Sequence, residues 1–547
     1  MRASQPTGGP VGATVASSVL DSAPDASRSF VDRYLAGELD ALFDRPAKDP
    51  ARGFDRPPLE DPGGLADALA AQARRRGDRP EQLEAIERLR DPATRAVVTG
   101  QQAGLLLGPM FTLSKAWTAV RLAQCADRPD RPVVAVFWVA SQDHDAAEID
   151  HAFLLGPDER LRRTSLPFAA DVPAGRADWR DGWTSRLSRE LAEIYGDTPQ
   201  AREATDLLRR ASAAGGSVAE VFSRLVSDVL GETGLIVLDP MQPEVAARFA
   251  PLLKRDLDDP TVGPAGIREA GETLRGMGLR PQLGRADDAT NLFVQEGGGP
   301  RRLLRFDGSA FHLDGRPERR LRASELKAWL DADPLAITPA AGLRPVVQDA
   351  LLPTAQVVVG PGELRYFAQL RGVYRHHGVP MPSVRPRAHA TVLEPPVARI
   401  LARHGLDAAT FAAAPDAALR ERVLAVTGEA ERFDRAARRL EEEGEVLIEA
   451  TAGLDPTLEG AVRRSRATLE RTLRRLRVKA SDALTRREGI LAEQFARLEA
   501  HLLPDGRPQE RVLSPFSFFA KFGVAPVIDR LATLEPQGHQ EIDIDPR

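Results

Sequence analysis

The chain has 547 residues, a formal net charge of −5 and 42% hydrophobic residues. That length exceeds one ordinary core, so two or three domains, or one with large insertions, are expected. The charge balance excludes a global pull toward nucleic acid or an anionic membrane. A lone cysteine, Cys125, excludes a disulfide within the chain and a cysteine-based zinc site.

Residues 1–28 are small and polar and read as a flexible N-terminal extension. They contain no continuous apolar h-region, and no run of eighteen apolar residues occurs anywhere, so a cytoplasmic protein without membrane contact is expected. Residues 64–90 read as helical. RAVVTG, 95–100, is a short strand, and 111–126 a helix with Leu113, Trp117, Val120 and Leu122 on a rough apolar face. RPVVAVFWVAS, 131–141, is the continuous Val-rich run of a strand buried on both faces. Strand, helix and strand with short connections make a βαβ unit. Residues about 155–232 form a mostly helical insertion with a hairpin-like start, and GLIVLDP, 234–240, is a further buried strand. Residues 280–315 alternate in a β manner between turns, within a second insertion of about 280–330. AQVVVGPGE, 355–363, is a strand ending in a glycine turn, with ELRYFAQLRGVYRHHG helical after it.

The fold expected is therefore α/β: a doubly wound core over 29–396, then an α-helical coiled-coil domain over 397–503. A C-terminal segment, 504–547, returns to the core. In the helical domain, 417–450 and 456–502 are nearly free of Gly and Pro. Leu469, Leu473 and Leu476, then Leu491, Phe495, Leu498 and Leu502, step by threes and fours. An antiparallel hairpin and a dimerising arm both satisfy that spacing.

Three stretches carry chemistry. In TGQQAGLLLGP, 99–109, Gly100, Gly104 and Gly108 allow close backbone approach, and Pro109 suits a first helical turn. Gln101 and Gln102 both donate and accept, and Lys115 follows within the helix, a set suited to a phosphate or carboxylate. A glycine-rich structural turn is the other reading. In SQDHDAAEIDH, 141–151, Asp143, His144 and Asp145 sit where a strand ends, the position of catalytic groups in doubly wound sheets. A His between two Asp can shuttle a proton, its pKa raised by its neighbours. A capped helix start is the alternative. A divalent metal is conceivable there, but no structural metal site is expected. In VVVGPGELRYFAQL, 357–370, Gly360 and Gly362 flank a turn, and Glu363, Tyr366 and Gln369 follow on roughly one helical face. Arg385 and Arg387 alternate in the next segment, on one face and fit for an anion.

Read together, these stretches, MPSVRPRAHATVLE at 381–394 and PDGRPQERVLSPFSFFAKFG at 504–523 resemble one family, the cysteine-adding BshC enzymes of bacillithiol biosynthesis. The resemblance runs from about residue 30 to the end. It implies a Rossmann-like core like that of class I synthetase-like enzymes, a coiled coil supporting homodimers, and ligation of cysteine to the amino group of glucosaminyl-malate. It departs at Gln142, where the family pattern more often has Glu, so Asp143 and His144 are the expected workers. Amide formation needs an activated carboxyl, for which ATP with Mg2+ is the expected agent. Phosphate would then sit at Gly104, Gly108 and the helix start, with Lys115 offsetting charge. His144 would take the amine proton, Glu363 would grip an ammonium or hydroxyl, and Arg385 or Arg387 the malate carboxylates. Two other classes also suit the residues: an α/β transferase acting on a sugar or sugar nucleotide, and a non-enzymatic coiled-coil assembly protein.

Overall fold

A computed structural model describes residues 29–544 apart from 170, 298, 453, 456 and 488. The extension expected over 1–28 lies outside the described residues. Fourteen strands are formed among the described residues: β1 (Arg95–Gln101), β2 (Val133–Val139), β3 (His151–Leu155), β4 (Leu161–Ser165), β5 (Ile236–Leu238), β6 (Ala289–Gln295), β7 (Arg301–Phe306), β8 (Phe311–Leu313), β9 (Arg316–Leu321), β10 (Ile337–Pro339), β11 (Thr354–Val359), β12 (Ser383–Pro386), β13 (His389–Leu393) and β14 (His539–Asp543).

The central sheet runs β12-β11-β1-β2-β5, and every neighbouring pair is parallel. Each residue of β2 is buried. Alternate side chains of a strand point to opposite faces, and here they feed two separate cores. Val133, Ala135, Phe137 and Val139 join one cluster, while Val134, Val136 and Trp138 join the other. The helix Phe111–Ala126 carries the chain from β1 to β2. The helical stretch expected over 64–90 is two helices, Pro62–Arg76 and Pro80–Arg88. Gly77 ends the first in the left-handed region at φ 83°, and Pro80 opens the second.

The hairpin β3–β4 and the helices Trp183–Tyr195, Pro199–Ser212 and Val218–Leu230 fill the segment before β5. This segment is a layer of the core rather than an appendage: Leu187, Leu208 and Phe222 pack in one cluster with Phe137 and with Phe516, Phe518 and Phe519 of the C-terminal segment. The antiparallel sheet runs β10-β6-β7-β8-β9 and reaches to Pro339, beyond the stretch the alternation marked.

Beyond β13, the long helices Glu429–Ala452 and Thr457–Thr485 pack along one another as a hairpin. The expected continuous run 456–502 is interrupted, and Gly489–Leu502 is a separate helix. Its Leu491, Phe495, Leu498 and Leu502 are buried at the base of the hairpin with Val397, Phe411 and Val423. Leu469 and Leu476 instead stay 52% and 53% exposed, because one partner helix covers only one face. The chain then returns to the core: the helix Phe516–Phe522 is buried there and β14 pairs with β13 in parallel. No helix among the described residues is long and apolar enough to cross a membrane.

Candidate active site

The C-terminal ends of β1, β2 and β11 lie side by side, because these strands are parallel neighbours. A parallel sheet therefore gathers the three chemical stretches at one edge, although they are far apart in sequence.

Lys115 is the innermost group. Its side chain is 1% exposed. Nζ donates to the Gly100 carbonyl at 2.5 Å, to Gln101 Oε1 at 3.1 Å and to Glu363 Oε2 at 2.6 Å. An ammonium has three protons, and all three are used. Burial pushes the Lys115 amine below its ordinary range, with Glu363 opposing that shift. The expectation that Lys115 offsets charge on a phosphate is corrected: the group is a buried tie between β1 and the turn after β11.

The glycine turn is also corrected. A Cβ on Gly100 would stand 2.6 Å from the Trp138 carbonyl oxygen, and one on Gly104 would stand 2.8 Å from Gly108 Cα. These glycines permit close packing of backbone on backbone. Pro109 leads into the helix Phe111–Ala126, but that helix start is covered. Met110 N–H donates to the Leu513 carbonyl at 2.8 Å, and Ser514 Oγ donates to the Leu106 carbonyl at 2.7 Å. Leu106 and Leu107 sit at φ 50° and 70°, so the turn is strained and the C-terminal segment clamps it. These partners favour the reading of a glycine-rich structural turn at Gly104 and Gly108, while Gln101, Gln102 and Pro109 stay half-buried.

At the end of β2, Asp143 Oδ2 accepts from Gln102 Nε2 at 2.8 Å, and Oδ1 accepts from the His144 backbone N–H at 2.9 Å. Asp143 keeps 42% of its side chain exposed. Asp145 makes no hydrogen bond to the imidazole among the described residues; it caps the short helix Ala146–Ile149 by accepting from Ala147 N–H, and acts on the ring only through its charge. The partner of His144 is Arg301 on β7, whose Nη1 lies 3.1 Å from Nδ1, whereas Asp143 Oδ1 is 4.0 Å away. The His144 pKa is lowered, first by burial and then by Arg301, where two acids had suggested the opposite. Gln142 is 4% exposed, and neither polar atom of its amide has a partner among the described residues. Such an amide costs free energy until a ligand or water meets it. Beside it, Ser141 Oγ donates to Asp239 Oδ1, and burial pushes that carboxyl up.

After β11, Gly360 N–H donates to Glu363 Oε2 at 2.8 Å, a capping box that holds the carboxylate toward Lys115. Gly362 faces open space. Tyr366 Oη accepts from Arg344 Nη2 at 3.0 Å, and burial pushes the phenol up to about 12. Gln369 does not join this face. It is fully buried, accepts from Gln282 and Leu283 N–H, and donates to the Ile267 and Leu283 carbonyls. Its amide is saturated, so a ligand role is corrected to a structural one. Arg387 is likewise taken: it forms two bonds to Glu510, at 2.7 and 2.6 Å. Arg385 is buried and pairs in backbone register with Val358, two residues before Gly360.

Arg301, Arg344 and Phe293 were missed by the sequence reading. Arg301 lies in the alternating run RRLLRF, where nothing local says which arginine turns inward. Among the described residues no group of three or more His, Cys, Asp or Glu is placed to hold a metal ion.

The family models that match this chain are described as "Bacillithiol biosynthesis BshC, N-terminal Rossmann-like domain", over residues 48–388, and "Bacillithiol biosynthesis BshC, C-terminal coiled-coil domain", over 390–543. A Thermus thermophilus protein named "Putative cysteine ligase BshC" is 41% identical over 83% of this chain and 89% of its own length. Proteins of the same name from Salinibacter ruber and Geobacillus thermodenitrificans are 32% and 31% identical, over 95% and 87% of this chain and 98% and 89% of their own lengths. Among solved structures, Thermus thermophilus arginyl-tRNA synthetase matches at 12% identity and a TM-score of 0.19, over 86% of this chain and 85% of that one, a likeness too slight to inform the fold. The chain belongs to the BshC family of bacillithiol biosynthesis, with a Rossmann-like domain followed by a coiled-coil domain.

Proposed function

We propose that this chain is a cysteine ligase that joins the carboxyl carbon of cysteine to the amino group of glucosaminyl-malate. The observation that carries the reading is the Gln102–Asp143–His144–Arg301 cluster, where Arg301 of β7 meets the ends of β1 and β2, in a chain of this family. Asp143, bonded by Gln102 yet open to solvent, is placed to hold the acceptor ammonium and to receive a proton from it. Glu363 keeps 28% of its side chain exposed and offers a second anionic contact for an ammonium or a sugar hydroxyl. With Arg387 committed to Glu510, Arg385 is the remaining candidate for a malate carboxylate.

Amide formation from a carboxylate requires activation, and the burial of Gly104 and Gly108 gives no support to a nucleotide phosphate at those two glycines. No step is therefore assigned to ATP. The test is incubation of the purified protein with cysteine and glucosaminyl-malate, with and without ATP and Mg2+, and detection of bacillithiol by mass spectrometry. Product in either arm supports the ligation, and the difference between arms identifies the activating agent. Folded protein that makes no product in any arm overturns it.

The protein is also proposed to dimerise through the helical hairpin. The exposure of Leu447, Leu469 and Leu476 on its two long helices supports that arrangement.

A further inference from the structure

We infer that Arg301 fixes His144 in the tautomer that carries its proton on Nε2, so that His144 serves the ligation as a hydrogen-bond donor rather than as a base. The inference rests on the ligase reading for its chemical consequence, but not for the tautomer itself.

A guanidinium has donors and no acceptor. With Arg301 Nη1 at 3.1 Å from Nδ1, that ring nitrogen must present its lone pair. Arg301 has no freedom to withdraw. Nε donates to Thr338 Oγ1 at 2.8 Å, and Nη2 donates to the Pro339 carbonyl at 2.8 Å. The guanidinium also lies 4.1 Å over the Phe293 ring, and the residue is 8% exposed. Phe293 meets the other partner too, edge to face with the His144 ring at 5.5 Å. Two strands of the antiparallel sheet thus hold the imidazole in place from one side.

Four charged groups face His144. Arg301 comes from β7, Asp143 and Asp145 from its own loop, and Asp171 from the segment after β4. The three acids favour the charged ring, while burial and Arg301 favour the neutral one, and the balance lowers the pKa. Burial brings Arg301 down to about 10, which still leaves it charged at neutral pH. A neutral imidazole with a bare Nδ1 carries its hydrogen on Nε2. Among the described residues Nε2 has no hydrogen-bond partner.

A donor of this kind suits the acyl oxygen of cysteine. When the acceptor amine attacks the activated carboxyl, its lone pair forms the C–N bond and the carbonyl π pair moves onto oxygen. Nε2–H stabilises that oxygen while it is negative. The pair returns as the leaving group of the activated carboxyl departs with its bonding electrons. Forming the amide from an ammonium releases two protons from nitrogen: Asp143 takes the first before attack, and the departing leaving group carries off the second. His144 ends the cycle in the protonation state in which it began. Arg301 touches no reacting atom and is a positioning residue.

The direct test is nitrogen NMR of the full-length protein labelled with 15N-histidine, with His144→Gln used to assign the resonance. The expected spectrum shows His144 as the Nε2–H tautomer and neutral at pH 7. Arg301→Met is expected to mix the tautomers and raise the titration toward the ordinary histidine range. A wild-type ring protonated on Nδ1, or charged at pH 7, overturns the inference, as does an Arg301→Met spectrum identical to wild type. If Arg301→Met fails to fold, the wild-type spectrum alone decides. The kinetic arm uses the ligation assay. The amide N–H2 of His144→Gln stands near the Nε2 position, so this variant should keep activity within about tenfold of wild type, while His144→Ala loses about a hundredfold or more. Equal inactivity of the two variants points to a base and overturns the donor role. Absence of product from wild type sinks the ligase reading and leaves the spectrum standing.

Discussion

Lys115 Nζ and Glu363 Oε2 meet at 2.6 Å although 248 positions separate the residues. The contact ties the helix after β1 to the turn after β11, and the same ammonium holds the Gly100 carbonyl and the Gln101 amide. Removing one partner of a buried pair strands the other. Lys115→Met should destabilise the protein by about 3 kcal/mol, toward the low side for such pairs because Glu363 keeps partial exposure. Lys115→Met combined with Glu363→Gln should be more stable than the sum of the single changes predicts. Urea denaturation of the four proteins measures this, and simple additivity would contradict it.

A second buried pair sets an acid limit. Burial pushes the Glu510 carboxyl up, but Arg387 and His389 outweigh that and hold it well below the usual carboxylate range. A group whose folded pKa is depressed adds stability above its unfolded pKa, and that contribution fades as pH falls. Melting temperature should therefore fall as pH drops through about 4.3, the ordinary glutamate value, and below. Glu510→Gln should be less stable at pH 7 and show a flatter acid limb. Thermal melts between pH 7 and 3.5 would test it, with an unchanged slope as the contrary result.

The strained turn at Leu106 and Leu107 depends on Ser514, whose hydroxyl donates to the Leu106 carbonyl and accepts from Phe516 N–H. Ser514→Ala should cost about 1–3 kcal/mol, the range for leaving a buried partner unsatisfied. It should also lower ligation, since Gln102 enters the same turn. Denaturation and turnover of this variant are the readouts, and full activity would separate the turn from the site.

Charge on the hairpin should separate the subunits without unfolding them. Leu469→Glu with Leu476→Glu changes two side chains that are more than half exposed, so melting of the single chain should move little. Analytical ultracentrifugation should then show a shift from two chains to one. A wild-type protein that sediments as one chain would end the dimer proposal.

The parts of this fold legible in sequence were those fixed by local pattern. The Val-rich apolar run at 133–139 suited a strand buried on both faces, and the helix after the glycine turn had its apolar face in rough spacing. The placement of Asp143 and His144 at a strand end followed from topology. What escaped was every long-range partner. Lys115 looked like a phosphate ligand because Glu363 lies far along the chain. His144 looked acid-flanked because Asp145 turns to cap a helix and Arg301 arrives from another sheet. Gln369 and Arg387 have the right chemistry for a ligand, but Leu283 and Glu510 reach them first. Helical periodicity also could not show that Leu469 and Leu476 would stay half-exposed among the described residues.

The central claim is that this chain ligates cysteine at the Asp143–His144 corner. The most direct measurement is mass-spectrometric detection of bacillithiol from cysteine and glucosaminyl-malate, run side by side for wild type, Asp143→Asn and His144→Ala with whichever activating conditions wild type requires. The account predicts product from wild type and a loss of about a hundredfold or more in both variants with folding intact. Equal product from all three would place the chemistry elsewhere in the molecule.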